Sequence, residues 1–386
     1  MPITVCHPVW RLERGGLERQ LVQLVSRGDP AIRPVLIVRG GIDACDDLGQ
    51  DLPPTVLIIR EPGNGPDANW SRRLAWVLRR QRADILHIRG LSMLLDGVMA
   101  ADLCESLHVT FSFHGFESQR PRWSGMRRCL LREAVLWCDD RAAVGAAAAR
   151  ALSQELDLPE SLFAIVPNGV DANLFRPPSD RRAIRRALDL PADRFVVLCV
   201  ANLKPVKGHA TYLRAIASLK RMHDVTTFIM VGRDYSGGEI EAEARSRCPN
   251  ADIRFTGPRD DVPAWYQAAD LYIQPSLWEG HCNAILEAMS SGLAVIATHV
   301  GGNSDSIDHG RTGLLVAPGE EVALAAAMSS LSADAPRRTC LGQAARQRVL
   351  ADRRLDVALQ SWIDRYKNLA KRRTGMPSGR SCALTP

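Results

Sequence analysis

Glu279 and Glu287 stand with seven residues between them inside LYIQPSLWEGHCNAILEAM, residues 271–289. The segment reads as a buried strand, a turn at Pro275 and Ser276, and a helix that opens at Gly280 and runs to about Ser291. On that reading Glu279 lies just before the helix and Glu287 two turns along it, so the carboxylates bracket a helix N-terminus whose free N–H groups and dipole suit a phosphate. Carboxylates beside a pyrophosphate would be repelled, so hydroxyls are the partners to expect, a ribose for one and a sugar for the other. Alone, the pair reads first as a helix cap and an unrelated solvent-facing Glu. Ala288, Met289, Gly292 and the apolar run Val295–Thr298 supply the context that favours a site.

Three other features carry chemistry. Five of the 49 basic residues are Lys, and two of them, Lys204 and Lys207, flank Pro205 and Val206 just after a buried strand. A compact ammonium there suits a pyrophosphate. His114 ends the strand VTFSFHG, where an imidazole can donate to a sugar hydroxyl or exchange a proton near neutral pH. Gly15 and Gly16 separate the first strand from a helix over Leu17–Val25, a place where bare backbone can approach a ligand.

The elements that must position these residues repeat twice. Short apolar runs, Ile3–Cys6, Pro34–Val38, Val56–Ile59, Ile85–Ile88, Val109–Phe113 and Phe163–Val166, alternate with helical patterns. After Pro167–Gly169 and the Pro177–Pro178 pair the pattern begins again with Phe195–Val200, Thr227–Val231, Ile253–Thr256, Leu271–Gln274, Val295–Thr298 and Leu314–Val316. Such alternation predicts βαβ units and two doubly wound parallel-sheet domains. They are expected over 1–170 and 171–352, with a helix over 353–370 packing back toward the first domain and a disordered basic tail over 371–386. A shared ligand would lie between the carboxyl ends of the two sheets.

Composition narrows the function. Hydrophobic residues make up 46% and charged residues 24% of the 386, the balance of a globular protein. The net charge of +6 gathers at the end of the chain, where residues 346–386 carry ten basic and three acidic groups, while residues 1–170 carry 20 Arg and 20 Asp plus Glu. With aromatics at 5%, no basic face interleaved with aromatics suggests nucleic acid. The ten Cys lack CxxC pairs and the chain has no DxD, so no metal set is assigned, and reduced thiols in a cytoplasmic protein are expected. Residues 120–138 read as a helix with Trp123, Met126, Leu130, Ala134 and Trp137 on a packed face and Arg128 with Arg132 opposite. A solvated basic face is the first reading and contact with anionic lipid the second.

Taken together, residues 275–292 resemble the retaining glycosyltransferases of family 4, or group 1, whose hallmark is P-S-x-x-E-G followed by L-E-A-M-x-x-G. The likeness extends to Gly15–Gly16, His114–Gly115, IVPNGVD at 165–171, KPVKG at 204–208, FTGPRDDV at 255–262 and Gly301–Gly302, and it covers about residues 1–365. The resemblance implies a GT-B fold, two Rossmann-like domains facing a cleft, and transfer from a nucleoside-diphosphate sugar to a saccharide or lipid-linked acceptor with retention, in cell-envelope or exopolysaccharide synthesis. It implies a catalytic set of His114, Lys207 and Glu279. Donor contacts fall on Gly15, Gly16, Asn202, Lys207, Arg233, Gly280, His281, Cys282, Asn283 and Glu287, with no cofactor besides the donor and peripheral contact with the inner face of the plasma membrane as an option. The family usually has Arg where this chain has Asn202, exchanging a charged fork for one amide donor, and Arg233 is the residue that could compensate. The rival readings are a non-catalytic nucleotide-sugar-binding subunit and a sugar-nucleotide epimerase of the same fold.

Overall fold

A computed structural model describes residues 2–10, 12, 16–27, 29–40, 52, 56–60, 67, 69–116 and 123–372. The first half alternates β1 (Ile3–Val9), α1 (Gly16–Ser26), β2 (Ile32–Val38), β3 (Leu57–Arg60), α2 (Trp70–Arg80), β4 (Ile85–Arg89), α3 (Leu94–Asp102), β5 (His108–Phe113), α4 (Gly125–Trp137), β6 (Asp140–Ala143), α5 (Ala146–Leu156) and β7 (Ala164–Ile165). The second half begins with α6 (Arg181–Ala187), β8 (Phe195–Val200), α7 (His209–Ser218), α8 (Lys220–His223), β9 (Thr226–Val231), α9 (Glu239–Arg247), β10 (Asp252–Gly257) and α10 (Val262–Ala268). It continues with β11 (Leu271–Gln274), α11 (Asn283–Ser290), β12 (Ala294–Thr298), α12 (Asn303–Ser306), β13 (Leu314–Val316), α13 (Glu321–Ala333), α14 (Ala335–Asp352) and α15 (Leu355–Arg372).

Two sheets form, one of seven strands in the order β3-β2-β1-β4-β5-β6-β7 and one of six in the order β10-β9-β8-β11-β12-β13. Every pairing is parallel. This is the GT-B α/β architecture, and it follows from runs such as FVVLCV of β8 and FIMV of β9, which are apolar on both faces because helices cover both sides. Strand β6 has no apolar run to announce it: its sequence is DRAA, and Asp140 accepts from Thr110 Oγ1 and from Arg365. Asp140 is satisfied by distant partners and Arg141 by the carbonyls of Val135, Leu136 and Cys138 at the end of α4, so no apolar pattern marks the strand.

Helix α15 covers the first sheet. Leu355, Leu359, Trp362, Tyr366 and Leu369 pack with Val5, Leu24, Ile85, Ala142 and Val166, while Arg365 pairs with Asp140 and Lys367 with Asp29. The chain crosses between halves twice, and the crossings run side by side: Val170 N–H donates to the Arg353 carbonyl at 2.9 Å and Leu355 N–H to the Val170 carbonyl at 3.0 Å. The helix ends at Arg372, and the remainder of the expected tail, 373–386, lies outside the described residues.

Helix α4 corrects the expected face in part: Ala134 is buried and Trp123 and Trp137 pack against the core as expected, but Met126 and Leu130 do not. Leu131, Ala134 and Val135 are its buried residues, whereas Met126 is 72% and Leu130 49% exposed. The helix leans on the sheet only through its second half, so its first two turns present Met126 and Leu130 to solvent beside exposed Arg127 and Arg128.

Candidate active site

Each sheet has a topological switch point, between β1 and β4 and between β8 and β11, and open α/β sheets place ligands outside the carboxyl ends there. In the second half, β8 leads to Asn202 and a 3₁₀ turn at Pro205–Lys207, and β11 leads to Pro275–Gly280 and then α11. In the first half β1 leads toward Gly16 and β5 to His114 and Gly115. These loops face one another. Gly115, at φ +100°, lies so near Gly280 that a Cβ on it would stand 2.2 Å from the Gly280 Cα, and a Cβ on Gly280 would stand 2.1 Å from the His114 carbonyl oxygen. Only glycine on both sides permits that approach.

The cleft centre is a hydrogen-bonded cluster. Lys207 Nζ donates to Glu279 Oε1 at 2.8 Å. The same oxygen accepts from Ser276 Oγ at 2.7 Å and Gln274 Nε2 at 3.2 Å. Glu279 is only 6% exposed, so three donors offset the cost of burying its charge. Burial works against the Lys207 ammonium, but Glu279 more than compensates and holds its pKa above the ordinary value. Thus two of the three expected catalytic residues meet directly, with one Glu279 oxygen already committed.

Helix α11 starts at Asn283, with Cys282 as its cap. Gly280–Cys282 instead form the approach to the helix, because the Gly280 carbonyl accepts from Gly302 N–H at 2.9 Å. Glu287 is therefore little more than one turn into the helix, not two. It accepts from the Tyr266 hydroxyl at 2.9 Å. Burial raises its pKa, partly offset by Arg19 of α1 and by Tyr266, so the residue lies within the field of the opposite domain. Asn283 acts as a clasp, accepting from Asn168 Nδ2 at 2.9 Å and donating to the Gly16 carbonyl at 3.0 Å. The Cys282 side chain packs in the core beneath α11 and burial pushes its thiol up, which leaves its backbone as the part available to a ligand. His281 is held neutral, its pKa lowered to about 4 by burial and then by Arg353.

His114 Nε2 lies 2.9 Å from Ser112 Oγ. Burial, followed by Arg89 and His281, drives its pKa well below the ordinary value, so it acts at neutral pH as an uncharged imidazole. Asn202 Oδ1 accepts from the Arg233 backbone N–H at 3.0 Å, which ties the ends of β8 and β9 together and leaves the side-chain NH2 as the one amide donor. Gly15 lies outside the described residues, whereas Gly16 is at the clasp. Sequence reasoning missed Ser276, Gln274, Tyr266 and Arg19. A Ser directly after Pro275 and three before Glu279 was the one local signal; the others depend on neighbours far along the chain.

The model of the family Glycosyl transferases group 1 matches residues 194–334, and that of Glycosyltransferase Family 4 matches residues 14–174. A lipopolysaccharide core biosynthesis mannosyltransferase, LpsB of Rhizobium meliloti, is 30% identical over 265 residues, 66% of this chain and 70% of that protein. A GDP-mannose-dependent phosphatidylinositol monomannoside mannosyltransferase of Mycobacterium tuberculosis is 32% identical over 53% of this chain and 56% of its own length. Among solved structures, a Rickettsia africae glycosyltransferase superposes with a TM-score of 0.81 at 20% identity, covering 96% of this chain and 99% of that one. HepE of Anabaena, crystallised with UDP and glucose, gives 0.80 at 21% identity, covering 95% and 100%. With both halves matched, the sheets in GT-B order and Glu279 and Glu287 on the loop and helix that meet the opposite domain, the chain belongs to the group 1, family 4 glycosyltransferases.

Proposed function

We propose that this chain transfers a sugar from a nucleoside-diphosphate sugar to a saccharide or lipid-linked acceptor with retention of anomeric configuration, in cell-envelope or exopolysaccharide synthesis. The observation that carries the reading is the Lys207–Glu279 pair at the approach to α11, facing His114–Gly115 across a backbone contact. Relatives with lipopolysaccharide and phosphatidylinositol-mannoside activities, and a fold neighbour that binds UDP, support the donor and acceptor classes.

In this reading Glu287 takes the ribose hydroxyls and Glu279 the donor sugar. Lys207 and the first N–H groups of α11 stabilise the leaving diphosphate, which is charge preorganisation aimed where charge develops. Neutral His114 holds a sugar hydroxyl. The acceptor oxygen attacks the anomeric carbon on the face the diphosphate leaves, the carbon–oxygen bond to phosphate breaks, and the acceptor proton passes to a departing phosphate oxygen. Exposed Met126 and Leu130 beside Arg127 and Arg128 support peripheral contact with an anionic membrane that would present a lipid-linked acceptor. Among the described residues no helix is long and apolar enough to cross one.

The test is transfer with a panel of nucleotide sugars and a cell-envelope lipid extract, with excess chelator in a parallel reaction. Expected are a product with the donor's anomeric configuration and turnover that survives the chelator. Inversion or metal-reversible loss refutes the mechanism. Release of an altered free sugar without acceptor identifies an epimerase, and nucleotide binding with no transfer identifies a binding subunit.

A further inference from the structure

Behind His114 a chain of buried polar groups runs to the C-terminal helix. Ser112 Oγ lies 2.9 Å from His114 Nε2 and 2.8 Å from His87 Nε2, and His87 Nδ1 lies 2.6 Å from the Tyr366 hydroxyl. Ser112, His87 and Tyr366 are each at most 1% exposed, so no solvent competes for these hydrogen bonds. The His87 ring is held between Trp362, at a centroid distance of 4.5 Å, and His7, at 5.4 Å. Arg89 lies over Trp362 at 5.6 Å and interacts with the Tyr366 hydroxyl.

The direction of the chain follows from donor arithmetic. A guanidinium has no acceptor, so a hydroxyl beside it turns its proton away, here toward His87 Nδ1. A neutral imidazole that accepts at Nδ1 carries its proton at Nε2 and donates it to Ser112 Oγ. The serine hydroxyl then donates to His114 Nε2, and the His114 proton is left on Nδ1. His87 and His114 are neutral because burial is reinforced by Arg89, with His7 and Arg365 adding to the effect at His87 and His281 at His114. Asp140, the carboxylate whose charge acts on Tyr366, is engaged by Arg365.

We propose that Tyr366, His87 and Ser112 are positioning residues that lock His114 as its Nδ1–H tautomer, making the reaction-centre imidazole a hydrogen-bond donor only when α15 is docked on the first sheet. The proposal rests on the role given to His114 above, but the tautomer is measurable without turnover. Histidine-labelled protein is observed by two-bond proton–nitrogen correlation, with peaks assigned through His87→Gln and His114→Ala. Expected in the native chain are a protonated Nδ1 and an acceptor Nε2 at His114, with the reverse at His87. Tyr366→Phe keeps the ring and removes the donor, while Ser112→Ala cuts the chain at its other end. Each should give a mixed His114 tautomer and lower kcat by about 10- to 10²-fold, with unchanged affinity for UDP or GDP, whichever binds the native protein. Leu359→Ala, a packing change in the same helix, should leave the His114 tautomer as it is. A protonated Nε2 at His114 in the native chain, or a tautomer unmoved in both variants, overturns the proposal. Full transfer by His114→Ala with the tautomer responding as expected would instead remove the catalytic role of His114 and leave the chain of positioning residues standing.

Discussion

Replacing Lys207 tests whether it serves the fold, the chemistry or both. Lys207→Met leaves the Glu279 carboxylate, 6% exposed, with only Ser276 and Gln274 as donors. Removing one partner of a buried pair costs about 3–5 kcal/mol. The Lys207 side chain is 26% exposed and two neutral donors remain, so the lower end, about 3 kcal/mol, applies. For a unit the size of the C-terminal half that corresponds to about 6–12 °C in Tm, read by calorimetry in which the two halves can unfold separately. Adding Glu279→Gln removes the stranded charge and should recover most of that stability, since a neutral amide can accept from Ser276. Transfer should behave differently: if Lys207 also stabilises the leaving diphosphate, both the single and the double variant lose turnover on the order of 10²- to 10³-fold. Recovery of transfer along with stability in the double variant would reduce Lys207 to a structural role, and an unchanged Tm in Lys207→Met would refute the pair itself.

Two further outcomes follow from the cleft. Gly115→Ala places a Cβ 2.2 Å from the Gly280 Cα, more than 1 Å inside ordinary contact, at a φ of +100° that Ala resists; the halves should separate, with a larger radius of gyration by small-angle scattering and transfer reduced about 10²-fold, and an unaltered radius with full activity would contradict the contact. Burial raises the Glu287 pKa, so the native state binds that proton more tightly than the unfolded chain, and stability falls as pH rises through the interval between the two values. Glu287→Gln should therefore raise Tm at neutral pH, with the gain vanishing at pH below about 4, while weakening nucleoside-diphosphate binding by calorimetric titration; unchanged binding would sink the ribose assignment.

The amino-acid sequence by itself determined both sheets except β6, because a parallel strand buried on two faces reads as a near-continuous apolar run, as FVVLCV and the FIMV of β9 do. It also marked the strand, turn and helix around Pro275 and Gly280, which the structure has as β11 leading to α11. Tertiary structure decided how those residues are used. Glu279 and Lys207 are 72 positions apart and become one ion pair, Asn202 turns its Oδ1 to the Arg233 backbone, and α4 leaves Met126 and Leu130 of its expected packed face exposed. Strand β6 exists because Arg365 and Thr110 satisfy Asp140. The bond from His87 to Tyr366 joins residues 279 positions apart. Hydrogen bonds of that span leave no periodic trace in a sequence, because the residue types that make them are set by partners brought near only when α15 crosses back onto the first sheet.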